Sequence, residues 1–382
     1  MQLNYNENEI LAQSEDVKRL RIKDAEGSYL IREDGRRYID FSSGWCVGNL
    51  GWKHPEIENA IRNFKGPSYV SPHFEYEPWL ELADLLAEMT PGNLMKCFRA
   101  TGGTEAVEIA LQAAIAHTGR TDFIALDDAY HGNSIAARAL VGDSSFFSWK
   151  KIKPPLNAEK LEKLEKILKT EKIAAFIMEP ICMNLGVMVP EREFMEGMEK
   201  LCRKYGTLII MDEIACGFGR TGKLFATEYF NISPDIICLA KALSGGAAPI
   251  GAAIMTEEVA ESLQEESFPY STYGWHPISV AATIANVRFF KEHWNELREN
   301  IQFMSEYFQQ RLSQMHFKIE PQMNIMGMAM KLDFGESDYG KKVTERAYRK
   351  GLIVSGDISL YPALDIDFET AKNGLDILEK CL

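Results

Sequence analysis

Between residues 96 and 255 the chain alternates short apolar runs with stretches of helical periodicity, and no other feature restricts its fold as much. The runs are Lys96-Cys97-Phe98-Arg99-Ala100, Phe123-Ile124-Ala125-Leu126, Ala174-Ala175-Phe176-Ile177-Met178, Leu208-Ile209-Ile210-Met211, Ile236-Ile237-Cys238-Leu239 and Gly251-Ala252-Ala253-Ile254-Met255. Runs this short and this apolar read as strands buried on both faces. The segments between them read as helices: one opened by Gly102-Gly103 and running through Glu105 to Ala116, a charged one over 157–170, and one from Phe194 to Tyr205. Such alternation gives an α/β fold, a mostly parallel sheet covered by helices.

The flanks differ. A polar arm precedes a hairpin made of Ser28–Arg32, a turn at Glu33-Asp34-Gly35-Arg36, and Arg37–Phe41. Trp79 to Met89 has helical spacing and stops at Thr90-Pro91-Gly92. Beyond about residue 285 the pattern changes to long amphipathic helices and a small α/β portion. The expected organisation is an N-terminal arm and hairpin over 1–45, a large domain over 46–285, and a C-terminal small domain over 286–382 that shares the hairpin.

Composition excludes some classes. With 46% hydrophobic and 25% charged residues, the 382-residue chain can bury a substantial core. A net charge of −13 gives a nucleic-acid partner no electrostatic footprint. The N-terminal MQLNYNENEILAQSEDVKRL lacks the apolar core of a signal peptide, and no apolar stretch is long enough to span a membrane. Seven scattered cysteines without C-x-x-C spacing read as reduced thiols of a cytoplasmic protein, and no metal site is expected.

In parallel sheets the chemistry gathers beyond the C-terminal strand ends. Here those ends carry Thr101-Gly102-Gly103-Thr104, Asp127-Asp128, Glu179-Pro180, Asp212-Glu213 and Lys241. Lys241 follows one buried strand and precedes Ala-Leu-Ser-Gly-Gly, surroundings that solvate a cation poorly and free an amine to attack a carbonyl. Pyridoxal phosphate needs such an amine, plus a carboxylate at its pyridine nitrogen to keep the ring an electron sink. Asp212, at the tip of another buried strand, can supply the carboxylate. Thr101–Glu105 offers glycines, a hydroxyl and a helix N-terminus to a phosphate, although alone it reads equally as a plain helix start. Tyr130-His131-Gly132 can lay an aromatic ring on the cofactor or simply seal the core. Strand-end carboxylates, too, often only cap the next helix.

One motif points elsewhere. Gly217-Phe218-Gly219-Arg220-Thr221-Gly222-Lys223 fits the first seven positions of a nucleotide-binding P-loop, but Leu224 stands where Ser or Thr should coordinate magnesium, and no strand directly precedes it. It is read as a glycine-rich loop.

Taken together, the sequence resembles the class III pyridoxal-phosphate-dependent aminotransferases of fold type I. The resemblance runs from about Gly27 to the C-terminus. It includes Gly35–Phe41, Gly48-Asn49-Leu50-Gly51, Thr101–Glu108, Tyr130-His131-Gly132, Met178-Glu179-Pro180, Asp212-Glu213-Ile214, Gly217–Gly222 and Leu239–Leu243. It implies that Lys241 is the Schiff-base lysine and Asp212 the partner of the pyridine nitrogen. Gly103 and Thr104 would bind phosphate, Tyr130 with its neighbour His131 would lie against the ring, Ile214 would pack its opposite face, and Glu179 would stand beside the cofactor. Ser271-Thr272-Tyr273-Gly274 resembles the stretch that lends a phosphate-binding threonine, here Thr272, to a neighbouring subunit. A homodimer with shared active sites follows. The implied activity moves an amino group from a small-molecule amine or amino-acid donor to a keto or aldehyde acceptor.

Departures from the family fall on substrate-facing positions. Cys182, Met183 and Asn184 follow Glu179-Pro180 where many relatives have a glutamine and later a glutamate, and Ala215-Cys216 replaces the usual Gln-Thr. Trp275-His276-Pro277 replaces Gly-Asn-Pro. Ser359-Leu360-Tyr361-Pro362-Ala363-Leu364 has no arginine where amino-acid-specific relatives clamp the α-carboxylate. The expected donor is therefore one without such a clamped carboxylate, an ω-amine or biosynthetic intermediate. Trp45, Trp275 and Tyr361 are the candidates to line its pocket, each otherwise ordinary packing. An aminomutase or amino-acid racemase shares this cofactor set, and a non-catalytic cofactor binder is the reading outside enzymology.

Overall fold

The computed structural model describes residues 20–142, 147–266 and 269–382. The polar arm expected at the N-terminus therefore lies outside the described residues up to position 19. The central sheet has seven strands in the order Lys96–Ala100, Gly251–Met255, Ile236–Leu239, Leu208–Asp212, Ile173–Met178, Asp122–Leu126 and Lys150–Ile152. From Ile236–Leu239 outward to Lys150–Ile152 all neighbours are parallel, while Gly251–Met255 runs antiparallel to both of its partners. A strand buried on both faces has the same apolar sequence in either direction, so this reversal has no sequence signature.

Successive side chains point to opposite sheet faces, and the core divides accordingly. Phe176, Met178, Ile209 and Met211 belong to one buried cluster, Ile177, Leu208 and Ile210 to the other. The second face is covered by helix Gly103–Thr118, whose buried residues are largely alanine. Such small side chains let the helix approach the sheet closely and set its N-terminus at the strand ends. That helix ends at Gly119, which takes the left-handed conformation of a C-terminal cap.

The hairpin forms as expected, with Tyr29–Arg32 antiparallel to Arg37–Asp40, and an additional strand, Ile22–Glu26, precedes it. Leu352–Ile353 joins the hairpin in parallel, so the two ends of the chain share one small sheet. A third sheet holds Gln322–Met326, Ala329–Asp333 and Ser359–Leu360. The boundary expected at residue 285 falls within a single 38-residue helix, Pro277–Gln314, which buries Val280, Val287, Phe290, Ile301 and Phe308 along one face.

Buried polar groups fasten the C-terminal segment to the large sheet. Arg220 is fully buried and donates to the carbonyls of Met328 (2.9 Å) and Pro362 (2.6 Å) and to Asn49 Oδ1 (2.7 Å). Asn49 in turn donates to the Phe218 carbonyl at 2.8 Å. The P-loop-like segment is thus a packed structural loop. Glu213, also buried, accepts from the backbone of Ala226 and Thr227, from the Thr227 hydroxyl and from Cys216 Sγ, which closes the loop onto the strand end. All seven cysteines are free, six of them buried. Among the described residues no helix is long and apolar enough to cross a membrane.

Candidate active site

The C-terminal strand ends open onto a cavity of about 410 Å³. Thr101, Gly102, Gly103, Thr104, Tyr130, His131, Glu179, Asp212, Ile214 and Lys241 all line it. Segments far apart in sequence are brought together there because each follows a strand of the same sheet. Asp127 and Asp128, although also at a strand end, are not in this lining, and Glu213 is turned away into the loop.

Asp212 is 3% exposed and its carboxylate is held at both oxygens. Oδ1 accepts the Ile214 N–H at 3.0 Å, and Oδ2 accepts from His131 Nδ1 at 2.7 Å. Donors at both oxygens offset the cost of burying the charge and fix its orientation. His131 is itself buried, and its Nε2 has no partner. Lys241 occupies a left-handed backbone conformation, φ +46°, at the start of a short 3-10 turn, a strained setting for a residue with a side chain.

The opposite wall is the N-terminus of helix Gly103–Thr118, whose first-turn N–H groups have no partners within the helix. Close approach there requires glycine. A Cβ on Gly103 would stand 2.8 Å from Ile214 Cδ1, and one on Gly132, at φ +133°, would stand 2.7 Å from Thr104 Oγ1. Tyr130 stands exposed at the cavity and Ile214 is half-buried, offering an aromatic and an aliphatic surface. Glu179 completes the site. It is buried, and the backbone N–H of Asn184 (3.3 Å) and its side-chain amide donate to it. Burial first, and then the Asp212 charge, push its carboxyl up to about 7.

These groups answer the requirements of pyridoxal phosphate one by one. The cavity holds an amine, a fixed carboxylate, an anion cradle at a helix N-terminus, and two surfaces suited to a flat ring.

A second cavity of about 190 Å³ adjoins the first, with Asn184, Ala215 and Lys241 lining both. Its other walls include Trp45, Cys46, Met183, Lys331, Asp357, Ser359 and Tyr361. Trp45 and Tyr361 are thus brought together at the cavity that Lys241 also lines. Trp45 is presented by an unusual turn: Ser43, Gly44, Trp45 and Cys46 all have positive φ, from +44° to +65°. Each of the three non-glycine residues costs on the order of 1–2 kcal/mol in that conformation. Asp40 offsets this, accepting the Ser42 and Ser43 N–H groups and the Ser42 hydroxyl at Oδ1 and the Trp52 indole at Oδ2.

Trp275 requires correction. It is 1% exposed, lines neither cavity, and donates its indole N–H to the Gly251 carbonyl at 2.8 Å, so it is core packing. Thr272 lies outside both cavities on an exposed turn. Lys331 was not anticipated from sequence. The signal was present as one lysine between buried Met330 and Leu332 in strand Ala329–Asp333.

A family model described as Aminotransferase class-III matches residues 10–382. Among solved structures, a taurine:2-oxoglutarate aminotransferase from Bifidobacterium kashiwanohense, in complex with PLP and glutamate, is 27% identical; the match covers 98% of this chain and 95% of that one, with a TM-score of 0.89. An omega transaminase from Pseudomonas jessenii in complex with PMP is 25% identical over 95% of this chain and 92% of the other, with a TM-score of 0.88. A Bacillus anthracis aminotransferase is 25% identical over 95% and 93%, with a TM-score of 0.87.

Proposed function

The chain belongs to the class III aminotransferases, and from that premise we propose how its own residues carry out pyridoxal-phosphate-dependent amino transfer. The single observation that carries the proposal is that Lys241 lines two adjoining cavities, one equipped for the cofactor and one for a substrate. In this reading Lys241 is the point of covalent attachment for the cofactor. Asp212 would face the pyridine nitrogen, with His131 and the Ile214 N–H keeping the carboxylate in place. Gly103, Thr104 and the helix start would take the phosphate, and Tyr130 and Ile214 the two ring faces. Glu179 would shape the site beside them.

When bound, pyridoxal phosphate supplies a sink for the electrons released as the donor carbon loses its proton. Displaced from its attachment to the cofactor by the donor amine, the freed Lys241 Nζ would take that proton from the donor carbon and deliver it to the cofactor carbon it had left, a role suited to an amine at the boundary between the cavities.

The donor is read as one lacking a clamped α-carboxylate, because among the described residues no arginine lines either cavity. Two of the structural relatives are compatible with this, one a taurine:2-oxoglutarate aminotransferase and the other an omega transaminase. A homodimer is proposed with Thr272 completing the partner's phosphate site. Tyr69, Phe74, Tyr270 and Tyr273 are exposed, and Tyr69 and Tyr273 are edge-on at 6.0 Å, a patch that a second copy would cover. We further assign residues 1–45 and 286–382 to a small domain and 46–285 to the large one, and a cytoplasmic location on the strength of seven unpaired thiols.

The test is a panel of amine and amino-acid donors given to the cofactor-loaded protein, with absorbance and released carbonyl product recorded. Conversion of the cofactor to its amine form with release of a keto or aldehyde product supports the assignment. Inversion or internal migration of the amine would transfer it to a racemase or aminomutase, and inertness towards every donor to a non-catalytic binder.

A further inference from the structure

The second cavity contains two cationic side chains, Lys241 and Lys331. Lys241 is committed to the cofactor in the reading above, on which this inference rests. Lys331 is half-buried, and among the described residues its side chain makes one hydrogen bond, from Nζ to the Asp357 backbone carbonyl at 3.2 Å. An ammonium carries three donors, so two have no protein acceptor among the described residues. Asp357 lines the same cavity, yet Lys331 forms no ion pair with it or with any other carboxylate among the described residues. In a chain of net charge −13, a half-buried lysine facing a cavity without a carboxylate partner is a conspicuous arrangement.

The mounting is rigid. Lys331 sits in the central strand of the three-stranded sheet, paired with Asn324 on one side and Ser359 on the other. Its stem passes Gly186, where an added Cβ would lie 3.4 Å from Lys331 Cγ, and Asn324 holds the Gly186 carbonyl at 2.8 Å. Trp45, Met183 and Tyr361 add apolar wall to the cavity that also contains both lysines.

We infer that Lys331 is the specificity-determining cation of this enzyme. It binds a carboxylate, or the chemically similar sulfonate, at the end of the substrate remote from the reacting amine. The substrate class is an ω-amino acid, with its amine at Lys241, its apolar spacer along the aromatic wall and its anion at Lys331. Lys331 thereby places a cation at a different point of the pocket from the arginine-free Ser359–Leu364 segment, where relatives would hold an α-carboxylate.

The test compares wild-type holoenzyme with Lys331→Met and Lys331→Arg on a chain-length series of ω-amino acids and their carboxamides. For Lys331→Met, kcat/KM for the acids should fall about 10- to 100-fold further than for the amides, mainly through KM, the range of a charge-assisted hydrogen bond. Lys331→Arg should recover most of that loss. Calorimetry with unreactive monocarboxylates of the same lengths should show a parallel rise in Kd. Matched ω-aminoalkanesulfonates distinguish the two anions, and a loss confined to dicarboxylic keto acids would assign the same site to the acceptor. Equal losses for acids and amides with unchanged carboxylate Kd would overturn the inference. Should Lys331→Met not fold, Lys331→Gln serves the same comparison. Wild type that binds carboxylates through Lys331 but transfers no amine would refute the amino-transfer reading alone. Wild type that transfers amines without discriminating acids from amides would refute this inference alone.

Discussion

Replacing Glu179 with Gln in the cofactor-free protein should remove a pH dependence of stability that the wild type carries. The Glu179 carboxyl rises from its ordinary 4.5 to about 7, chiefly through burial; Asp212 adds to the rise, and His131 and Lys241 oppose it. Below pH 4.5 the carboxyl is protonated whether the chain is folded or not, and the fold has the full benefit of burying a neutral group. As pH climbs towards 7 the unfolded chain gives up the proton while the folded chain retains it, so stability declines across that window. At about 1.36 kcal/mol per pH unit the interval corresponds to roughly 3 kcal/mol. Glutamine keeps an acceptor for Asn184 but has no proton to lose. Urea unfolding of both proteins from about pH 5 to about pH 8 should show the wild type losing up to about 3 kcal/mol more than Glu179→Gln. Parallel profiles would refute the reasoning, because they would mean that Glu179 is solvated or already ionised in the folded protein.

Two further substitutions test how the site is supported. Arg220→Met should destabilise by roughly 2–4 kcal/mol, since three buried acceptors lose their donor while the cost of burying a cation is relieved; the denaturation midpoint is the readout. Asp40→Ala should remove four hydrogen bonds, two from Ser42, one from Ser43 and one from Trp52, that brace the left-handed turn at Ser43–Cys46, lowering stability by about 2–4 kcal/mol. With Trp45 no longer held at the second cavity, KM for the donor should rise more than kcat falls, and an unchanged KM would show that the turn does not position the pocket.

Much of the site was legible because its residues end buried strands. Lys241 and Asp212 follow runs so apolar that only a sheet interior accommodates them, and a parallel sheet collects such ends at one edge. Gly103 was legible for a related reason, opening the helix between two such strands. Sequence was silent wherever placement depends on pairing between remote segments. Lys331 reaches the cavity only because Ala329–Asp333 pairs with Ser359–Leu360, and nothing in either segment announces that register. Trp275 was a candidate because it stands where relatives have Gly-Asn-Pro, with ordinary packing as the other reading, and its indole N–H donates to a buried carbonyl. The four-residue left-handed turn was equally hidden, since only one of its members is glycine.

The most direct test of the account is the absorbance of the protein loaded with pyridoxal phosphate, wild type beside Lys241→Ala, followed by borohydride reduction and peptide mapping. A lysine-linked cofactor band is expected in wild type and not in the variant, with the reduced cofactor carried on the peptide that contains Lys241. A band of equal strength in Lys241→Ala, or the label on another lysine, would contradict it.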